Sequence, residues 1–320
     1  MSFAFVFPGQ GSQSVGMLAA HAAADPVVRE TFDEASRVLG YDLWQLSQEG
    51  PQERLNQTEV TQPALLAAGI AVLRLWTKRG GGKPAAVSGH SLGEFTALVA
   101  AGALDFSTAI DVVKFRGQVM QEAVPEGTGL MAAVVGLSDA EVEAACREAA
   151  QGAVVEAVNY NTAGQVVIAG ETEAVKRAGE AAKARGAKRV LPLPISVPCH
   201  SSLLRDAAQR LGKKLESIEF RAPRARYISA VDGKEYSNPA ELRPLLVRQL
   251  ASAVRWPAAV LGLTATGVQQ IIECGPGKVL TGLNKRVEGV SGASPRVAFA
   301  NTDDPAALDA ALTAIKDSGT

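Results

Sequence analysis

Three cysteines and three histidines in 320 residues leave little material for metal or disulfide chemistry. Cys146, Cys199 and Cys274 are scattered, odd in number and without metal-ligand spacing. Neither a disulfide framework nor a metal cluster is expected, and a reducing cytoplasm suits such a chain. Charge of one sign is also missing. The 32 Lys and Arg stand against 33 Asp and Glu, a net charge of −1, so the electrostatic footprint of a nucleic-acid binder is absent. No apolar run is expected to span a bilayer. The start, Met1-Ser2-Phe3-Ala4-Phe5-Val6-Phe7, lacks the basic residues and small-residue cleavage site of a signal peptide and reads as a first strand. What remains is 47% hydrophobic and 20% charged, an ordinary soluble globular composition with length enough for a large core.

Strand and helix signals alternate along the chain, which argues for an α/β fold with a parallel sheet. Ser36-Arg37-Val38-Leu39 followed by Gly40 reads as a helix end. Residues 62–76 form a strongly apolar helix that places Pro63 in its first turn and stops before Gly80-Gly81-Gly82. The middle is different. After a break at Pro125-Glu126-Gly127-Thr128-Gly129, the pattern predicts a strand over 130–136 and a helix opened by the capping box Ser138-Asp139-Ala140-Glu141. A strand over 154–160, a turn at Asn161-Thr162-Ala163-Gly164 and a strand over 165–169 follow, then a helix over 171–185 and a last strand over 189–193. That is β-α-β-β-α-β, the order of a ferredoxin-like unit. The expectation is a large α/β-hydrolase-like domain from residues 1–123 and 196–320, with a small ferredoxin-like domain, 124–195, inserted in it.

One pentapeptide carries chemistry: Gly89-His90-Ser91-Leu92-Gly93. An apolar segment, residues 84–88, precedes it, and an Ala/Leu-rich segment, residues 94–102, follows with a glycine stop. Strand, serine turn and helix is the context in which a G-x-S-x-G serine stands exposed as a nucleophile. The two glycines permit the tight turn and close backbone packing. Free N–H groups at the helix start are placed to meet a developing oxyanion. His200 falls just past the inserted unit, at the seam of the two domains, and is the candidate base for Ser91. His90 is read as packing inside the turn.

Arg116, on an otherwise apolar helical stretch, is either a solvated side chain or a bidentate clamp for a carboxylate. Gly9-Gln10-Gly11-Ser12-Gln13 follows the first strand, but Ser14 stands where a dinucleotide fingerprint needs its third glycine. A turn that brings backbone N–H groups near Ser91 suits it better. The acid of a Ser-His-acid triad is not evident. Asp105, Asp111 and Asp139 qualify by chain order alone, and a backbone carbonyl could orient the histidine instead.

Taken with these residues, the stretches Phe5-Val6-Phe7-Pro8-Gly9-Gln10-Gly11-Ser12-Gln13, Thr61-Gln62-Pro63-Ala64, Gly89-His90-Ser91-Leu92-Gly93-Glu94, Arg116-Gly117, Gln165-Val166-Val167-Ile168-Ala169-Gly170, Val197-Pro198-Cys199-His200, Arg248-Gln249-Leu250 and Gly275-Pro276-Gly277-Lys278-Val279-Leu280 span the chain. Together they resemble the bacterial malonyl-CoA:acyl carrier protein transacylases of fatty acid synthesis. The resemblance implies Ser91 as the acylated nucleophile and His200 as its base, a dyad rather than a triad. It implies an oxyanion hole from the backbone N–H groups of Gln10 and Leu92, and Gln249 orienting His200 through its main-chain carbonyl. Arg116 would pair with the malonyl carboxylate, with Gln249 and His90 also on the substrate side.

It further implies malonyl-CoA as substrate, a holo acyl carrier protein as acceptor, no cofactor and no metal. Monomer is the default expectation, and the charge balance and hydropathy predict neither a nucleic-acid nor a membrane partner. Cys199 departs from the family pattern, which more often has Ser or Phe there, and Tyr227-Ile228-Ser229-Ala230-Val231-Asp232 lacks an asparagine often present. Carrier proteins are acidic, so a basic patch from Lys188, Arg189, Arg205, Lys285 and Arg286 is expected near the cleft. A serine thioesterase shares Ser91 and His200 but passes the acyl group to water. A non-catalytic carrier-binding module would leave Ser91 unacylated.

Overall fold

The computed structural model describes residues 2–125, 127–195, 197–290 and 297–317. Glu126 in the predicted break, Ser196 at the predicted boundary, and residues 1 and 318–320 at the chain ends lie outside them. Among the described residues, ten strands form two sheets in a mixed α/β fold: β1 (Phe3–Phe7), β2 (Ala86–Gly89), β3 (Gly129–Val135), β4 (Val155–Thr162), β5 (Gln165–Glu171), β6 (Arg189–Pro192), β7 (Arg226–Tyr227), β8 (Val254–Arg255), β9 (Gln270–Glu273) and β10 (Ala298–Asn301).

The first sheet runs β10-β9-β1-β2-β7 with every pairing parallel. Its centre, β1, is buried at all five positions, which is why Phe3 to Phe7 reads as a continuous apolar run rather than an alternation. Helices Thr58–Lys78 and Phe106–Ala123 pack beside it in the main core. The second sheet runs β6-β3-β5-β4-β8. Its four strands from 129–192 pair antiparallel, with helices Asp139–Ala150 and Thr172–Ala184 at the expected points in the chain. Ser138 and Glu141 close the capping box as read.

Four local readings need correction. Helix Thr58–Lys78 begins four residues before the predicted start, so Pro63 lies inside it rather than in its first turn. The same helix is long and apolar enough to cross a membrane by length and composition, contrary to expectation, but 83% of its apolar window is buried, as in a core helix. Asn161 and Thr162 belong to β4, which bulges twice, so the turn shrinks to Ala163 and Gly164. The second sheet also gains a fifth strand, β8, from residues far downstream, parallel to β4 at Asn159 and Tyr160.

Candidate active site

The parallel pairing of β1 with β2 sets Phe7 opposite Gly89, so both strands end side by side. The turn at His90, Ser91 and Leu92 follows, and helix Gly93–Ala100 begins at once. Ser91 takes the left-handed conformation, φ +54°, a strain on the order of 1 kcal/mol for a non-glycine residue. The flanking glycines do not supply that φ; they supply room. A Cβ on Gly89 would lie 1.9 Å from the carbonyl carbon of Gly93, and one on Gly93 would lie 2.1 Å from the Phe7 oxygen. Behind the turn, the buried Glu94 carboxylate accepts from Tyr227 Oη, Ser229 Oγ and the Ala230 amide, and burial pushes it up to about 7.

His200 meets this turn from 109 residues away, its Nε2 2.6 Å from Ser91 Oγ. Its Nδ1 lies 2.9 Å from the main-chain oxygen of Gln249. A carbonyl can only accept, so Nδ1 carries the hydrogen and Nε2 is left to accept from the serine hydroxyl. Gln249 sits in the last turn of helix Pro239–Leu250, where carbonyls lack an intrahelical amide and are available to other donors. Burial, then the nearby Arg116 cation, push the His200 imidazole down to about 3, so it is neutral in ordinary conditions. Asp105 caps a helix through the Thr108 amide, Asp111 pairs with Lys214, and Asp139 opens helix Asp139–Ala150; none joins the histidine.

Arg116 lies mid-helix in Phe106–Ala123 and is only 1% exposed. Its Nη2 donates to Gln249 Oε1 at 3.1 Å and approaches Ser91 Oγ at 3.4 Å, and the guanidinium lies 5.6 Å from the Phe95 ring centre. Buried Nε has no acceptor, and among the described residues Arg116 has no ion pair. Burial lowers it to about 10, which leaves it cationic. The solvated alternative is therefore set aside: this is a buried positive charge with a free donor edge.

One small cavity of about 30 Å³ joins these groups. Gln10, from the loop after β1, and Leu92 line it, and neither main-chain amide has a protein acceptor among the described residues. His90 also borders the cavity, but its Nε2 is 3.0 Å from Asn161 Oδ1 and its ring lies 5.6 Å from Trp256, which fits packing within the turn. Cys199 lines the wall, and burial pushes its thiol up to about 11. Sequence reasoning gave no role to Gln62, Met120, Met131, Asn159 and Ile195, which complete the lining. Gln62 had a signal: a polar residue at the head of the apolar run 63–73, and its buried Oε1 is without a partner among the described residues. Among the described residues no cluster of three or more His, Cys, Asp or Glu could hold a metal.

A serine on a strand-turn-helix, bonded to a neutral histidine beside two open amides, is the arrangement of α/β proteins that form serine esters. The family described as the acyl transferase domain matches residues 4–298, and the chain belongs to that family; it is an acyltransferase. It is similar to the malonyl CoA-acyl carrier protein transacylases of Escherichia coli K12, 55% identical over 97% of this chain and 98% of that one, and of Bacillus subtilis, 41% identical over 98% and 97%. Among solved structures it resembles a malonyl-transacylase in complex with its type II PKS acyl-carrier protein, with a TM-score of 0.94 and 53% identity over 98% and 99% of the two chains. It also resembles an acyl carrier protein S-malonyltransferase from Vibrio cholerae, with a TM-score of 0.91 and 53% identity over 97% and 100%.

Proposed function

We infer that the protein moves malonyl groups from malonyl-CoA to the phosphopantetheine thiol of an acyl carrier protein, supplying the extender unit for fatty acid synthesis. The observation that carries this is the buried Arg116 guanidinium, without a carboxylate partner among the described residues and within reach of Ser91 Oγ. An unpaired buried cation is costly, and a malonyl carboxylate removes that cost where an acetyl group cannot.

In this reading Ser91 Oγ attacks the thioester carbonyl while His200 Nε2 takes its proton. The oxyanion faces the amides of Gln10 and Leu92. Collapse breaks the C–S bond, and the proton passes from His200 to the departing CoA sulfur, leaving a malonyl ester on Ser91. The carrier thiol then attacks this ester, giving its proton to His200, which returns it to Ser91 Oγ. Gln249 holds the imidazole through its carbonyl, and His90 shapes the turn. Met120 and Met131, unbranched thioethers that line the cavity, can adjust to the acyl group.

The finer fold reading, an α/β-hydrolase-like domain of 1–123 and 196–320 with a ferredoxin-like domain of 124–195, is supported by the second sheet's strand order. We take the protein to be a cytoplasmic monomer that needs neither cofactor nor metal, with CoA thioester as substrate. A carrier-binding face at Lys188, Arg189, Arg205, Lys285 and Arg286 is supported by their exposure, and none of the five has an ion pair among the described residues.

Intact-protein mass spectrometry after brief mixing with malonyl-CoA tests the assignment. The expected result is a malonyl adduct that requires Ser91 and leaves on addition of holo carrier protein. An adduct lost to water alone would mark a thioesterase, and no adduct would leave a binding module.

A further inference from the structure

Gln249 is fully buried, and its three polar groups reach three different members of the site. Its main-chain oxygen faces His200 Nδ1 at 2.9 Å, its Oε1 accepts from Arg116 Nη2 at 3.1 Å, and its Nε2 donates to the Ser91 carbonyl at 2.7 Å. The amide can sit only one way round. Arginine has no acceptor and a carbonyl has no hydrogen, so Oε1 must face the cation and Nε2 the serine. We propose that the Gln249 side chain is a positioning residue that fixes the Arg116 fork and the strained Ser91 backbone in one register, and so couples recognition of the acyl carboxylate to the geometry of the nucleophile.

The chemistry of the amide suits this better than other residue types. A neutral acceptor can hold one corner of a guanidinium without cancelling its charge, leaving the cation unsatisfied for an incoming carboxylate. A carboxylate at the same place would hold Arg116 equally well and quench it. An apolar side chain would leave the fork without its main acceptor and release the Ser91 carbonyl, whose other partner is the Glu94 amide at 3.1 Å. The acceptor for His200 is a main-chain carbonyl, present whatever side chain stands at 249, so the side chain's effect can be read separately from that of the carbonyl.

This inference rests on the malonyl-transfer reading. Its test compares Ser91 acylation by malonyl-CoA and by acetyl-CoA in wild type, Gln249→Met and Gln249→Glu, each also in an Arg116→Ala background, with melting curves as the control for folding. Gln249→Met should lower kcat/KM for malonyl about tenfold or more and for acetyl only a few-fold. Gln249→Glu should lower malonyl acylation by about 100-fold, chiefly through KM, with acetyl changed less than about tenfold. In the Arg116→Ala background Gln249→Met should not move the malonyl-to-acetyl ratio. If both acyl groups fall by the same factor in the wild-type background, or Gln249→Met still moves the ratio without Arg116, the inference is wrong. Should Gln249→Met fail to fold, the near-isosteric Gln249→Glu carries the same comparison. Wild type that takes no malonyl on Ser91 would sink the transfer reading and this inference together; malonylated wild type with unmoved ratios would sink the inference alone.

Discussion

Replacing Arg116 by methionine should make the protein more stable and less selective at once. Burial lowers the guanidinium to about 10, which at 1.36 kcal/mol per tenfold corresponds to roughly 3 kcal/mol of uncompensated desolvation. Methionine removes that cost and fills similar volume. Against it stand about 1 kcal/mol for the Gln249 Oε1 left without a donor and up to about 1 kcal/mol for the lost contact with the Phe95 ring. The balance is a gain of about 1 kcal/mol, or roughly 2 °C in melting temperature for a chain of this size. Malonyl acylation should fall in the opposite direction. Losing a desolvated charge pair is worth about 3–5 kcal/mol, so kcat/KM for malonyl-CoA should drop about 100-fold or more while acetyl-CoA changes little. Calorimetry and acylation kinetics on the same preparations measure both. A melting temperature lowered by several degrees would show that the cation is compensated in the free protein, and an unchanged malonyl-to-acetyl ratio would remove Arg116 from recognition.

Gly93→Ala should cost more than about 3 kcal/mol or prevent folding, because the added carbon would lie 2.1 Å from the Phe7 carbonyl oxygen and neither backbone can move alone; a soluble variant melting within a few degrees of wild type would contradict the packing. His200 sits near 3 when folded and near 6.5 when unfolded, so below pH 6.5 the unfolded chain takes up a proton that the folded one refuses. Stability present above that point is lost as pH falls toward 3, by about 2 kcal/mol at pH 5, and His200→Asn should remove that increment in denaturant titrations at pH 5 and 8. Equal losses in both proteins would mean the imidazole is already charged when folded. Reversing Lys285 and Arg286 to Glu should raise KM for the carrier protein while leaving malonylation of Ser91 intact; unchanged carrier kinetics would place docking elsewhere.

The parts legible from sequence are those whose cause is local. The elbow was readable because strand, serine turn and helix follow one another within residues 84–102, and the second sheet because period, capping box and turn residues fall in order between 129 and 192. What was hidden depends on partners distant in the chain. β7 and β8 are two residues each, too short for any periodicity, and exist only because β2 and β4 offer an edge. Helix Thr58–Lys78 starts before the proline whose preference places it in a first turn: Gly117 lets helix Phe106–Ala123 approach so closely that a Cβ there would lie 2.5 Å from Glu59 Cα. Tertiary packing thus overrode a sound terminal signal. Gln249 is the sharpest case. Its carbonyl was assigned through a resemblance, but nothing local marks a glutamine in the last turn of a helix as the contact between a serine 158 residues away and an arginine 133 residues away. Such a residue becomes readable only when the fold has brought a carbonyl acceptor and a cation to opposite ends of one amide, and there its polarity is required where an apolar side chain would otherwise be the natural choice for a fully buried position.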